Sequence, residues 1–374
     1  MRFLFIVQGE GRGHMTQAIA FSNLLRSQGH ELAGVLVGKS HRRRIPDFFT
    51  REIQAPILAL DSPNFEADGA EKKILLGKTI RKNLKKAPIF WKSLLQIDDQ
   101  VKSLNPDIIL NFYDLLGGLY SMLFRPKAAY WVIGHQYLSG HPEFVFAPGR
   151  NLERLLFRLN TQITAWGAQE ILALSFLPQK IARRKVRVVP PLLRREVRKL
   201  SPHQGDFYLA YMVNPGYGQE VIAYAKAHPH IRVKAYWDKK DAAEVEQVLP
   251  NLTLNRVHDQ RFLQDMAACK GLICTAGFES VCEAMYLGKP ILVIPVAGQY
   301  EQACNALEVF HSGIGKTAKS FDFSILELAA LEKTNHLQED FQRWVETWEQ
   351  VLLQLLPAPE DATIFIQSSD LSYT

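Results

Sequence analysis

The chain is poor in cysteine and has no long apolar run, and each shortage excludes something. Its four cysteines, Cys269, Cys274, Cys282 and Cys304, all lie in the second half, and none is arranged as C-x-x-C. Neither a zinc-ribbon nor a thioredoxin-type redox spacing is present. Each thiol sits among apolar residues, which fits free buried cysteines in a reducing compartment, so a cytoplasmic location is expected. No apolar stretch approaches the ~18–20 residues of a membrane span. Met1 to Val7 is apolar but too short for a signal-peptide core and reads as a first strand. There is no RNP-like aromatic pattern, zinc-finger spacing or evident reading helix, so nucleic acid is not an expected partner. Low-complexity segments and short repeats are missing as well.

Charge is nearly balanced, with 44 Lys and Arg against 38 Asp and Glu, but it is unevenly placed. Lys72, Lys73, Lys78, Arg81, Lys82, Lys85 and Lys86 form one basic cluster; His41 to Arg44 and Arg183 to Lys185 form two more. Such clusters suit anionic ligands or phospholipid head groups, and they equally describe a solvated helix face. Ile74, Leu75, Ile80 and Leu84 lie among the charges of the first cluster. Lys72 to Lys86 is therefore a candidate for peripheral contact with an anionic membrane or a lipid-linked acceptor.

A length of 374 residues suits two ordinary α/β domains. Strand-like runs alternate with helical ones from Arg2 to Val189, as a parallel sheet with crossovers requires. Lys73 to Leu104 reads as helical, broken near Pro88. The Pro190–Pro191 pair stops regular structure and marks a boundary. The alternation restarts at Phe207, with Asp241 to Val248 read as a helix and Leu337 to Leu356 as one long final helix. The expected division is a first domain over 1–190, a second over 191–335, a helix over 336–356 and a loose tail over 357–374.

The first strand ends in Gly9-Glu10-Gly11-Arg12-Gly13-His14. Glycines allow a tight strand-to-helix turn, and the helix that follows offers free N–H groups to an anion. A dinucleotide fingerprint would need glycine where His14 stands, and no acid near Lys39 is placed to hold a ribose. NAD and FAD are thus not expected, and no Gly-Lys-Ser/Thr pattern follows for a P-loop. His14 is either a general base or a helix-start histidine that bonds locally. Asp114, after the Asp107–Asn111 strand, is either its orienting carboxylate or the N-cap of the next helix.

The most informative stretch runs from Cys274 to Pro290: a strand end, the turn Ala276-Gly277-Phe278, a helix and a Gly-Lys-Pro stop. The turn exposes helix N-terminal amides that suit a diphosphate. Glu279 and Glu283 share one helix face. Glu283 is placed to accept both ribose hydroxyls, whereas Glu279 reads as part of a solvated acidic face. After Pro295, Glu301 and Gln302 open another helix, where an acid and an amide can bind sugar hydroxyls. Nothing resembles a D-x-D or a His/Cys ligand cluster, so no metal is expected.

In this order the two blocks resemble the donor-binding region of inverting GT-B glycosyltransferases, in particular the MurG-like and UDP-glycosyltransferase group. The resemblance implies two Rossmann-like domains facing a central cleft, with the C-terminal helix packing back towards the first domain. It implies a diphosphate at Gly13 and Ala276–Phe278, ribose on Glu283 and donor sugar on Glu301, Gln302 and Asn305. It places the nucleotide base near His258 and Phe262, and matches His14 to the family histidine. The implied reaction is metal-independent transfer of a hexose from a nucleotide-sugar, UDP being favoured, to a hydroxyl acceptor, with no further cofactor. Nucleotide-sugar 2-epimerases, hydrolases and a non-catalytic binding protein on the same fold are the alternatives. The loop Asn214-Pro215-Gly216-Tyr217-Gly218 departs from the Gly-Gly-Ser-like turn of MurG-like enzymes.

Overall fold

The computed structural model describes residues 1–39, 45–64, 66, 68–69, 73–179, 186–212, 214–239, 242–329 and 335–356. The basic runs at 41–44 and 183–185, Lys72 and the tail at 357–374 lie outside the described residues.

Among the described residues, two seven-stranded sheets organise the fold. The first contains β1 (Arg2–Gln8), β2 (Glu31–Lys39), β3 (Ile57–Asp61), β4 (Ile108–Phe112), β5 (Ala129–Gly134), β6 (Glu170–Leu174) and β7 (Val186–Val189). Its order is β3-β2-β1-β4-β5-β6-β7, with every pairing parallel. The second contains β8 (Tyr208–Met212), β9 (Val233–Trp237), β10 (Val245–Leu249), β11 (Leu252–Arg256), β12 (Leu272–Thr275), β13 (Ile291–Ile294) and β14 (Lys316–Thr317). Its order is β10-β11-β9-β8-β12-β13-β14, parallel except between β10 and β11. Parallel strands are covered on both faces, so their sequences are nearly continuous in apolar residues. Phe3 to Val7 and Leu272 to Cys274 are buried throughout for this reason. In each sheet the order reverses beside the first strand, between β1 and β4 and between β8 and β12. Crevices open at the carboxyl ends of the strands at such switch points.

Three expectations are corrected. The stretch ending at Val248 is no helix: Val245–Leu249 is the edge strand β10, antiparallel to β11. Glu246 stands exposed on that edge, as charged residues do where a sheet ends. Lys73 to Leu75 is not helical either. Lys73 bridges to Ala297 and the Ile74 amide donates to the Ala297 carbonyl at 3.0 Å, burying Ile74 against the second half. Helices follow at Leu76–Lys85 and Ala87–Leu104, with Pro88 in the first turn of the latter, where a missing N–H costs nothing. The final helix is two, Asn335–Glu346 and Trp348–Leu355. Between them Thr347 bonds its own hydroxyl back to the Trp344 carbonyl at 2.8 Å.

These last helices do pack back. The indole of Trp344 donates to Ser175 O (3.2 Å), and that of Trp348 donates to Pro191 O (3.0 Å) and meets the Phe21 ring edge-on. Both sheets contribute to one large buried core, which includes Phe5, Phe112, Phe278 and Trp348.

Candidate functional site

The cleft between the sheets is lined by the ends of two helices that face each other. Helix Arg12–Ser27 starts at Gly11 and helix Phe278–Tyr286 at Gly277, and neither glycine supplies a side-chain cap. Gly11, Arg12, Gly13, His14, Gly277 and Phe278 all line the cleft. Uncapped N-terminal amides carry partial positive charge, so two such ends in one crevice suit an anion. The tight loop depends on Gly9, where a Cβ would stand 2.3 Å from the Gly38 carbonyl oxygen. It depends also on Gly13, where a Cβ would stand 3.0 Å from Cγ of Glu279.

Within the second turn, the Ala276 amide is spent on Ile294 O and the Gly277 amide on Thr275 O. The groups left for an anion are therefore the first amides of the helix from Phe278 onward. Asn305 does not line the cleft; its Nδ2 donates to the Ala276 carbonyl at 3.0 Å and so holds the turn.

Glu283 is 2% exposed and is paired with Arg194, whose Nε donates to Oε1 at 2.7 Å. Arg194 also pairs with Asp259. Burial raises the Glu283 carboxyl above the ordinary range, while the Arg194 cation pulls it back. Glu279 corrects the expectation of a solvated face: it is buried at the seam, accepting from Gln17 Nε2 at 2.5 Å. Burial pushes its carboxyl up to about 8, and the Gln17 hydrogen bond lowers it only partly.

Glu301 accepts from Gln136 Nε2 of the first half at 2.9 Å, and burial raises its carboxyl. Gln302 accepts from the Val296 amide at 3.0 Å, and both residues line the cleft. Nearby, His135 stacks on Phe278 with ring centroids 4.2 Å apart. Its Nε2 lies 3.1 Å from Glu308, an ion-pair contact without hydrogen-bond alignment. Of the pair expected at the base, Phe262 lines the cleft, packed on Tyr211 and Tyr236, whereas His258 is exposed and caps helix Asp259–Ala268.

His14 and Asp114 are not brought together. The Asp114 carboxylate caps helix Leu115–Phe124 through the Leu116 amide at 2.8 Å and accepts from Ser62 Oγ. It is outside the cleft lining, and burial lifts it to about 6. His14 stacks instead on Tyr113, at 6.0 Å and 21° between ring planes. Tyr113 has φ of 59°, a strained conformation for a bulky residue that tends to mark functional sites. Burial lowers His14 to about 4 against the opposing pull of Gln17, so it is neutral, and its buried Nδ1 makes no aligned hydrogen bond. Asn214 Nδ2 and Glu279 Oε2 are likewise buried without partners in the lining. Buried polar atoms left unpaired cost ~1–3 kcal/mol each, and their concentration here marks a ligand site.

A family model described as glycosyl transferase family 1 matches residues 1–333. The chain belongs to that family. An uncharacterised glycosyltransferase of Methanosarcina acetivorans is 22% identical over 336 residues, covering 84% of this chain and 85% of that one. Among solved structures, the calicheamicin glycosyltransferase shares 15% identity with a TM-score of 0.57, covering 96% of this chain and 100% of that one. MurG from Acinetobacter baumannii shares 16% identity with a TM-score of 0.53, covering 95% and 98%. A spinosyn rhamnosyltransferase solved with thymidine diphosphate shares 14% identity with a TM-score of 0.57, covering 95% and 100%. The fold of this glycosyltransferase is accordingly GT-B. Among its described residues no group of three or more His, Cys, Asp or Glu is arranged to hold a metal ion. None of its described helices is long and apolar enough to cross a membrane.

Sequence reasoning missed Gln17, Tyr113, His135, Gln136 and Arg194. Only Arg194 carried a signal, following the Pro190–Pro191 stop at the crossover into the second sheet.

Proposed function

We propose that this glycosyltransferase inverts the anomeric centre, taking a hexose from a nucleoside-diphosphate donor, with UDP favoured, and using His14 as general base. The observation that carries this reading is the pair of uncapped helix N-termini opening on one cleft, with neutral His14 on one helix and Glu283 on the other. His14 takes the proton of an acceptor hydroxyl, the oxygen attacks the anomeric carbon, and the first amides of helix Phe278–Tyr286 stabilise the departing diphosphate. Those amides and the helix dipole supply the positive charge, so no metal ion is required. Arg194 holds Glu283 by Oε1 and leaves Oε2 for the ribose hydroxyls. Glu301 and the amide nitrogen of Gln302 meet the sugar, Phe262 packs against the base, and Asn305 acts by holding the turn. The thymidine diphosphate of the rhamnosyltransferase relative supports a nucleoside diphosphate as ligand.

A base lowered to about 4 is weak in the empty cleft. One negative charge ~6 Å away at an effective dielectric of ~20 is worth about 3 kcal/mol, or roughly two pH units. The bound diphosphate thus raises the basicity of His14 back towards the ordinary histidine range and activates it as a base.

The acceptor approaches from the first half. Exposed Ile80, Leu84 and Trp91 beside Lys78, Arg81 and Lys85 suit a lipid-linked or anionic acceptor at a membrane surface.

The test combines a thermal-shift panel of UDP-, GDP- and TDP-sugars with product analysis. His14→Ala should lower transfer at least ~10²-fold while nucleotide affinity stays within about twofold. Unchanged transfer sinks the base assignment. Full turnover without any acceptor shows hydrolysis or epimerisation in place of transfer.

A further inference from the structure

The diphosphate turn is a source of positive charge, yet it carries an acid. Glu279 stands in the first turn of helix Phe278–Tyr286, only 8% exposed, and lines the cleft. Its Oε1 accepts from Gln17 Nε2, and its Oε2 is buried with no protein partner. An ionised carboxylate here would repel a diphosphate held by the same turn. A carboxylic acid would instead have a proton to donate. Because the Gln17 amide donates to Oε1, the acid proton belongs on Oε2, the oxygen left free.

We propose that Glu279 binds the donor diphosphate as a neutral carboxylic acid, donating from Oε2 to a phosphate oxygen while Oε1 stays on Gln17. The inference rests on the nucleotide-sugar reading and names a binding residue within it. The surroundings agree. Burial is the largest influence and lifts the group to about 8; Glu283 on the same helix also raises it, and Arg194 from the crossover lowers it. Arg194 is itself committed to Glu283 and Asp259. His14 on the facing helix, lowered to about 4, stays neutral in the empty cleft between pH 6.5 and 9. The diphosphate's own charge favours the protonated acid further, so binding takes up a proton whenever the free site has lost one.

The experiment is calorimetric titration of UDP-, TDP- and GDP-glucose into the wild-type chain and Glu279→Gln at pH 6.5, 7.5 and 9.0. The esterified diphosphate of these probes keeps a fixed charge over that window. With the acid at about 8, the competent fraction falls from roughly 97% at pH 6.5 to roughly 9% at pH 9.0, so Kd rises about tenfold. Close to one proton is drawn from the buffer at pH 9.0, read from the dependence on buffer ionisation heat. Glu279→Gln, whose amide also donates, should bind at all three pH values with no more change than base ionisation causes. A flat wild-type profile with no proton uptake overturns the proposal and leaves the donor reading standing. An equal pH dependence in both proteins does the same. Failure of all three probes to bind the wild type at any pH overturns the donor reading, and this inference with it.

Discussion

Replacing Arg194 with methionine tests the electrostatic logic of the site. The side chain is 9% exposed, with one nitrogen 2.7 Å and another 2.6 Å from Glu283 Oε1 and a third on Asp259. Methionine keeps much of the volume and removes the charge. Glu283, 2% exposed, then becomes a buried carboxylate without a cation. Removing one member of such a pair costs about 3–5 kcal/mol. The pH dependence gives a second handle. Burial already raises Glu283 above its ordinary range against the pull of Arg194, and loss of the cation raises it further. A folded chain that holds a proton which the unfolded chain releases loses stability as pH rises. The deficit of Arg194→Met should therefore be larger at pH 8 than at pH 5.5. Urea unfolding at the two pH values measures it. The double variant Arg194→Met/Glu283→Gln removes the lone charge and should recover at least half of the loss. A deficit under about 1 kcal/mol at pH 8, or one that grows on acidification, would refute the reasoning.

Two further outcomes are expected. Asp114→Asn keeps a good cap and removes an acid lifted to about 6, whose folded-state proton makes wild-type stability fall as pH rises through roughly 4 to 6. The variant should then be more stable than wild type at pH 8 by about 1–3 kcal/mol, with transfer within about threefold; a loss near 10²-fold would restore Asp114 as the partner of His14. Sedimentation with anionic vesicles should retain the wild-type chain at low salt and release it at high salt, and Leu84→Glu, at a side chain 70% exposed, should weaken retention. No retention at low salt removes the membrane contact.

The buried strands were legible because parallel sheets demand unbroken apolar runs, and the Pro190–Pro191 stop falls between the last strand of the first sheet and the first of the second. β10 was not, because Val245-Glu246-Gln247-Val248-Leu249 alternates too weakly to separate an edge strand from a helix. The break at Thr347, where both its hydroxyl and its amide bond back to the Trp344 carbonyl, was hidden within an otherwise good helical pattern. At the site, residues on single helices could be found from spacing. Pairs could not: Gln17 and Glu279 are 262 positions apart, and Gln136 and Glu301 are 165 apart. Asp114 shows the reverse error, since its place after β4 suits both a cap and a cleft acid, and the Leu116 amide and Ser62 hydroxyl bonded to its carboxylate decide for the cap.

Those long-range pairs share a logic. Glu279 and Glu301 each receive an amide donor from the opposite half, and Glu283 receives Arg194 from the crossover. Three carboxyls in one poorly solvated cleft would otherwise repel each other and any diphosphate. Neutral amides satisfy two of them without adding charge, which lets Glu279 keep its proton, whereas the Arg194 cation pulls Glu283 back towards the ionised form against its burial. On the proposed reading, the diphosphate then acts on both helices at once. Its negative charge raises Glu279 further, keeping it a hydrogen-bond donor, and raises His14 from a neutral ring of low basicity to one that can take a proton. On the proposed reading, donor binding and activation of the base are one electrostatic event, and a chain lacking a bound diphosphate has little capacity to deprotonate an acceptor.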